Sequence, residues 1–252
     1  MKVVEIFPAL QGEGLNMGHP SIFVRTGLCT LTCAGFGCTM KSPTGEIITG
    51  CDSIMAVNPS FSDEWTTYTQ SIDLIRKIES CMIHEHSYDE KPDIIFTGGE
   101  PLIHHRDKVM IETIQYFISR NYNVWFETNG TINVDFEAYP IYKKVNFSIS
   151  VKMKCSGENI DKRWKPETVN NYLQNTENSY FKFVYGLSGD GDEIMTFLEM
   201  IPTYAPVYIM PLGATIEQLN ANAKVAYEYA FNNSFRYSDR LHIRVYDDLR
   251  MV

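Results

Sequence analysis

The sequence lacks any apolar run that approaches the roughly 18 residues needed to span a membrane. The start, Met1 to Phe7, has neither the long apolar stretch nor the small-residue cleavage site of a signal peptide. Basic residues are also scarce: 22 Lys and Arg stand against 31 Asp and Glu, for a formal net charge of −9. Such a balance argues against a surface built for nucleic acid. We therefore expect a cytoplasmic protein that binds neither membranes nor nucleic acid.

Internal repeats, low-complexity tracts and a clear interdomain linker are absent too. The 252 residues, with an ordinary hydrophobic fraction of 44%, are enough for one large α/β domain. We therefore expect residues 1–252 to form a single domain.

Short apolar runs alternate with amphipathic segments along the chain. The apolar runs predict strands at 21–25, 93–96, 123–126, 145–149, 180–184, 206–210 and 241–245. The amphipathic segments predict helices at 69–84, 109–120, 192–200 and 216–231. Residues 34–66, rich in Gly, Ser, Thr and Pro, are expected to be irregular. Repeated strand–helix units favour a parallel sheet with helices outside it.

Four of the six cysteines crowd into 23 residues: Cys29, Cys33, Cys38 and Cys51. In a reducing compartment this crowding favours metal binding over disulfides. Zinc would take all four thiolates, whereas an iron–sulfur cluster held by three would leave one iron open to a substrate or cosubstrate. Spacing alone leaves both choices open.

Polar or glycine-rich residues follow the apolar runs at four points: Thr97-Gly-Gly-Glu100, Glu127-Thr-Asn-Gly130, Ser150-Val-Lys152 and Met210-Pro211. Ligands of parallel α/β folds bind at the carboxyl ends of strands, so these segments should rim one site. Gly98 and Gly99 would let the backbone approach a ligand. The Glu100 carboxylate could accept hydrogen bonds from an ammonium group, although a plain strand–turn–helix would use the same residues.

Together these segments resemble the radical S-adenosylmethionine superfamily and, within it, the 7-carboxy-7-deazaguanine synthase family of queuosine biosynthesis. The resemblance covers most of the chain in order. Gln11-Gly-Glu-Gly14 is similar to the N-terminal signature of that family, and Ser21-Ile-Phe-Val-Arg25 to its strand ending in a substrate-binding arginine. The three segments at 97–101, 127–131 and 150–152 resemble its Thr-Gly-Gly-Glu-Pro, Glu-Thr-(Ser/Asn)-Gly-Thr and Ser-Pro-Lys motifs. The resemblance implies a partial open (β/α) barrel of about six parallel strands.

The family places a [4Fe-4S] cluster on three cysteines, usually spaced C-x3-C-x2-C, and Cys38 lies one residue too far from Cys33 for that spacing. Its third cysteine typically begins Cys-Asp-Thr, which Cys51-Asp52-Ser53 matches with serine for threonine. The resemblance therefore implies Cys29, Cys33 and Cys51 as ligands, with Cys38 the alternative to Cys51. Residues 34–50 would be an inserted loop, and Ser53 would contact a magnesium ion.

The resemblance also implies the remaining site residues. S-adenosylmethionine would be bound by Thr97, Gly98, Gly99, Glu100, Glu127, Thr128, Asn129, Ser150, Lys152 and Met210. The substrate would be bound by Leu10, Gln11, Gly12, Glu13, Gly14, Arg25 and Thr97. The implied reaction converts 6-carboxy-5,6,7,8-tetrahydropterin to 7-carboxy-7-deazaguanine with loss of ammonia, in a homodimer served by an electron donor such as flavodoxin.

Two departures from the family pattern leave questions open. Met210 stands where the family has a glutamine that meets the cosubstrate. The expected C-terminal Gln-Leu-His aligns with Arg244-Val-Tyr246, and His242 lies nearby, so the substrate contacts of this segment stay open. Alternative functions are a radical activating enzyme that acts on a partner protein and a zinc-stabilised binding module.

Overall fold

The computed structural model describes residues 1–82, 91–187 and 190–251. Within these residues nine strands form one sheet in the order β11-β10-β9-β8-β7-β6-β2-β1-β5. Strands β2 and β6 to β11 run parallel to one another, whereas β1 is antiparallel to both β2 and β5. A separate antiparallel hairpin consists of β3 and β4. The prediction of an α/β fold with a mainly parallel sheet is confirmed.

The strands are β1 (Lys2–Leu10), β2 (Pro20–Thr26), β3 (Cys38–Lys41), β4 (Ile47–Gly50), β5 (Thr66–Thr67), β6 (Asp93–Gly98), β7 (Val124–Thr128), β8 (Asn146–Ile149), β9 (Tyr180–Tyr185), β10 (Val207–Pro211) and β11 (Arg236–Tyr237). The helices are α1 (Ile54–Val57), α2 (Ser71–Glu79), α3 (Lys108–Ile118), α4 (Ile160–Arg163), α5 (Pro166–Asn175), α6 (Gly191–Glu199), α7 (Ile216–Asn232) and α8 (Leu241–Tyr246). No helix among the described residues is both long enough and apolar enough to cross a membrane.

The central strands are buried on both faces, which explains why they read as continuous apolar runs. On the helix-facing side Phe96 stacks on Phe126 with ring centroids 5.1 Å apart, and Phe126 meets Phe147 at 5.8 Å. Helix α3 covers this layer with its own apolar stripe, and its first turn is capped by Asp107, which accepts a hydrogen bond from Val109 N.

The opposite face of the sheet carries one aromatic cluster that includes residues from both ends of the strand order. Phe7 of β1 and Tyr208 of β10 belong to it, joined through Phe23, Trp125 and Tyr180. The cluster therefore forms a row across the strands on this face. The strand order does not close on itself within the described residues, so the sheet is open, and its curvature into a partial barrel stays a prediction.

Six of the seven predicted strands correspond to β2 and β6 to β10. The predicted helices correspond to α2, α3, α6 and α7, although residues 83 and 84 of the first prediction lie outside the described residues. Strand β1 was not predicted, and Leu10, which the resemblance assigns to the substrate, is its last residue. The single domain of 1–252 stays a prediction.

Two predictions are wrong. Residues 241–245 form helix α8 rather than a strand, because the sheet ends at β11 and only Ile243 of the helix is buried. Residues 34–66 are not irregular throughout: Cys38 to Lys41 pairs in register with Ile47 to Gly50, and α1 and β5 follow.

Candidate active site

A cavity of about 540 Å³ lies at the carboxyl ends of the parallel strands. Every residue that the sequence assigns to a cofactor, a metal or the substrate lines it, except Gly14 and Glu100. The residues that the sequence assigns to one site are therefore brought together around one cavity, and their roles stay predictions.

Burial raises the pKa of all four crowded thiols. The pKa of Cys29 and of Cys51 rises to about 12, and the pKa of Cys33 and of Cys38 is raised as well. All four thiols line the cavity, so the choice between Cys38 and Cys51 as the third ligand stays a prediction. All six cysteines are free thiols.

The cysteine loop offers the donors that an iron–sulfur cluster takes. Cys29, Cys33 and Cys51 line the cavity as free thiols, and such clusters are held by cysteine thiolates. Among the described residues, no three Cys, His, Asp or Glu side chains come close enough to hold one metal ion. The residues present therefore fit a cluster in their donor chemistry.

The two glycines at the end of β6 are needed by the cysteine loop itself. Gly98 has φ +122°, where other residues are strained. A Cβ on Gly99 would lie 2.0 Å from Leu28 O and 3.0 Å from the Cβ of Cys29. The glycines therefore allow the strand end to approach the cysteine loop closely, in addition to any ligand they would contact.

Asn129 ties the following strand end to the same loop. Its side-chain amide donates to Thr30 Oγ1 at 3.0 Å and lies 3.7 Å from Cys29 Sγ in donor geometry. Hydrogen bonds to cluster sulfurs are one of the ways in which a protein tunes a cluster. Asn129 thus faces the predicted cluster as well as the cavity.

Glu100 is fully buried and does not line the cavity. Its carboxylate accepts hydrogen bonds from Leu102 N, from Thr128 Oγ1 at 2.8 Å and from Asn129 N at 2.7 Å. Burial raises the pKa of Glu100 to about 7 despite these donors. The carboxylate that the sequence assigns to an ammonium group is thus engaged in joining two strand ends, and its ligand role stays a prediction.

Arg25 lines the cavity beside Ser53 and has a carboxylate partner. Its Nε donates to Glu5 Oε1 at 2.6 Å, and its Nη1 lies 3.3 Å from Ser53 Oγ. Arg250, near the end of the chain, pairs with the other oxygen of Glu5 at 3.1 Å. Two guanidinium groups therefore stand at one wall of the cavity and share one carboxylate.

Sequence reasoning missed a buried charge network around Glu13. Lys182 Nζ lies 2.5 Å from Glu13 Oε2 and 3.4 Å from Glu127 Oε1, and Arg240 Nε lies 2.8 Å from Glu13 Oε1. Burial alone would raise the pKa of Glu13, but Lys182 and Arg240 outweigh it and hold the pKa well below its ordinary value. A lysine in the aromatic run Tyr180-Phe-Lys-Phe-Val184 was a signal for a buried charge, whereas nothing in the sequence marked Arg240.

Glu127 is the second hub of this network. It accepts hydrogen bonds from Thr97 Oγ1 at 2.8 Å and from Gln11 Nε2 at 3.3 Å, besides its contact with Lys182. Residues predicted in three separate motifs therefore meet at one carboxylate.

The three C-terminal residues left open by the sequence differ in their position relative to the cavity. His242 lines the cavity and packs so closely on the N-terminal loop that a Cβ on Gly12 would lie 2.1 Å from its Nδ1. Burial lowers the pKa of His242, so the imidazole tends to be neutral. Arg244 instead pairs with Asp239 at 2.9 Å, and neither it nor Tyr246 lines the cavity.

Comparison with known proteins defines the class. The family profile of the 4Fe-4S single cluster domain matches residues 10–173, more than half of the chain, and the chain belongs to this family.

Relatives along the whole chain are more specific. The 7-carboxy-7-deazaguanine synthase of Halobacterium salinarum is 29% identical over 263 residues, which cover 98% of this chain and 91% of that protein. The enzyme of the same name from Rhodopirellula baltica is 26% identical and covers 98% of this chain and 87% of its own. The crystal structure of QueE from Escherichia coli shares the fold, with a TM-score of 0.64 at 22% identity over 96% of this chain and 94% of that one. These relatives confirm the family predicted from the sequence.

Proposed function

We propose that the chain is a radical S-adenosylmethionine enzyme that converts 6-carboxy-5,6,7,8-tetrahydropterin to 7-carboxy-7-deazaguanine with loss of ammonia. The single observation that supports this most is the similarity to named synthases over nearly the full length of both chains. The cavity agrees with it, because the cysteine loop, the Gln11–Gly14 loop and Arg25 all face the same space.

Cys29, Cys33 and Cys51 would hold the cluster, and Cys38 is the alternative to Cys51. The cluster and S-adenosylmethionine supply the radical chemistry when bound. The strand ends at Thr97–Gly99, Glu127–Asn129 and Ser150–Lys152, with Met210, would form the wall that orients the cosubstrate. Lys152 Nζ donates to Ser150 Oγ at 3.0 Å, which holds this part of the wall in place.

The substrate would lie between the side of the cavity that carries Arg25 and the side that carries Glu13. Arg25 would meet the substrate carboxylate in the planar geometry that guanidinium groups provide. Gln11 would donate or accept hydrogen bonds along the polar edge of the pterin, and the ionised Glu13 carboxylate would accept them. Because Lys182 and Arg240 each hold one oxygen of Glu13, its carboxylate is fixed in orientation and stays ionised.

Magnesium would be held by Ser53 together with the substrate carboxylate. The hydroxyl of Ser53 lines the cavity and lies 3.4 Å from Asp52 Oδ1. Oxygen donors of this kind are those that magnesium prefers, and it usually keeps several waters and substrate oxygens as further ligands.

The cellular setting follows from the same chemistry. A cluster on free thiols suits a reducing compartment, which supports the cytoplasm. From the family resemblance we also propose a homodimer and an electron donor such as flavodoxin.

Anaerobic reconstitution with iron and sulfide, followed by reaction with the pterin substrate, S-adenosylmethionine and a reductant, tests the function. We expect a brown protein and formation of 7-carboxy-7-deazaguanine, measured by mass spectrometry. A brown protein that cleaves S-adenosylmethionine but makes no such product would favour an activating enzyme. A colourless protein with one zinc would favour a binding module.

A further inference from the structure

One carboxylate outside the predicted motifs is bonded directly to the backbone of the cysteine loop. Glu158 Oε1 accepts hydrogen bonds from Thr32 N at 2.6 Å, from Thr32 Oγ1 at 2.8 Å and from Cys33 N at 2.7 Å. Three donors on one oxygen form a strong anchor, because hydrogen bonds to an ionised acceptor are shorter and stronger than neutral ones.

The anchored residue has an unusual backbone conformation. Cys33 has φ 52° and ψ 43°, the left-handed region that residues with a side chain seldom adopt. Such a conformation persists only when its surroundings impose it. The hydrogen bond from Cys33 N to Glu158 is a contact that imposes it at this residue.

Glu158 is itself held on a braced turn. Arg163, almost fully buried, donates from Nε to Glu158 O and from Nη1 to Lys152 O, both at 3.1 Å, and its Nη2 pairs with Glu193 at 2.6 Å. On the other side a Cβ on Gly35 would lie 2.4 Å from Cys155 O, so the cysteine loop packs tightly on this turn. The carboxylate therefore approaches Cys33 from a rigid support.

We propose that Glu158 is a positioning residue of the iron–sulfur site: it holds Cys33 in its left-handed conformation and places a negative charge beside this ligand. Groups that orient metal ligands from outside affect both retention of the metal and its reduction potential. The proposal depends on the cluster proposed at Cys29, Cys33 and Cys51 and is independent of the pterin substrate.

The test compares Glu158→Ala and Glu158→Gln with the parent and with Glu199→Ala, which removes a carboxylate at the exposed end of α6. Each protein is reconstituted anaerobically, and iron and sulfide per chain are measured. The rate of iron loss to a chelator and the midpoint potential, from electron paramagnetic resonance of poised samples, are then determined. Circular dichroism of the cluster-free proteins reports whether they are folded.

We expect Glu158→Ala to lose iron about 10-fold faster than the parent, the lower end of the effect typical of such supporting groups. Glu158→Gln keeps an acceptor oxygen but no charge, so it should retain iron better than Glu158→Ala and show a higher midpoint potential than the parent. A folded Glu158→Ala protein with the iron content, iron-loss rate and potential of the parent would overturn the proposal. A parent that forms no cluster would instead refute the proposed function.

Discussion

Lys182 Nζ and Glu13 Oε2 lie 2.5 Å apart, a buried ion pair between the middle of a parallel strand and the N-terminal loop. The pair fixes the loop against the sheet at the point where the substrate is proposed to bind. Its partners Glu127, on β7, and Arg240, directly before α8, extend the network to two further elements that line the cavity.

Replacing Lys182 by methionine should destabilise the protein strongly. Removal of one partner leaves Glu13 buried with less compensation, and breaking a buried pair costs about 3–5 kcal/mol. The free energy of unfolding, from urea titration of the cluster-free protein, measures this. The matched control is Lys224→Met, because Lys224 pairs with Glu228 on the exposed face of α7 and should change stability little. Equal stabilities of the two variants would contradict the role of the network.

The proposed ligand set predicts that replacing Cys51 and replacing Cys38 affect the cluster differently. Cys51→Ala should abolish the brown absorbance of the reconstituted protein, because it removes one of three ligands. Cys38→Ala should leave that absorbance largely intact, because Cys51-Asp52-Ser53 and not Cys38 matches the tripeptide of the third ligand in the family. Absorbance spectra and iron content of both variants decide the matter, and the reverse pattern would assign the third ligand to Cys38.

Stability should depend on pH through Glu100. Burial raises its pKa from the ordinary 4.5 to about 7, so between these values the folded protein holds a proton that the unfolded chain has lost. The contribution of Glu100 is therefore largest below pH 4.5 and is lost as the pH rises to 7, by on the order of 3 kcal/mol. Glu100→Gln cannot titrate, so its stability relative to the parent should improve between pH 5 and 7.5. Urea unfolding across this range measures the difference, and Glu199→Gln is the control. Parallel curves for the parent and Glu100→Gln would rule the effect out.

Arg25→Lys separates substrate binding from radical generation. Lysine keeps the charge near Glu5 but cannot form the planar pair with a substrate carboxylate, and losing such a bond in a desolvated pocket costs on the order of 2–5 kcal/mol. We expect pterin turnover to fall strongly while slow uncoupled cleavage of S-adenosylmethionine continues. Both rates are measured in one anaerobic assay. If they fall together, Arg25 supports the fold or the cluster rather than the substrate.

The parts of the fold that sequence predicts are those in which local pattern and burial agree. Strand β6 reads as a strand because all its central residues are buried. Strand β1 mixes buried, half-buried and exposed residues without clean alternation, so it gave no signal. Apolar and polar residues alternate in the run 241–245, as they would in a strand. Five residues are too few to distinguish a strand from a helix by this pattern. In the structure the sheet ends at β11 and the run forms α8.

The sequence predicts those residues of the candidate site that belong to motifs. It does not predict the residues whose place in the site depends on contacts between distant segments. Gln11, Thr97 and Glu127 were found separately, but their meeting at one carboxylate is a property of the folded chain. Arg240 and Glu158 act through partners more than a hundred residues away, at Glu13 and Cys33. No periodicity or motif in the sequence records such contacts.

The hairpin between Cys33 and Cys51 has a consequence for how related chains can be recognised. Its strands pair Cys38 with Gly50, directly before Cys51, so the segment begins and ends at nearly the same place. Residues could be added or removed at its tip, around 42–46, without displacing Cys51, because lengthening a closed surface loop costs little free energy. The number of residues between Cys33 and Cys51, the two proposed ligands, is then set by the length of the hairpin and can differ between related chains without a change in the metal site. Searches for such enzymes that demand a constant cysteine spacing would pass over chains built like this one.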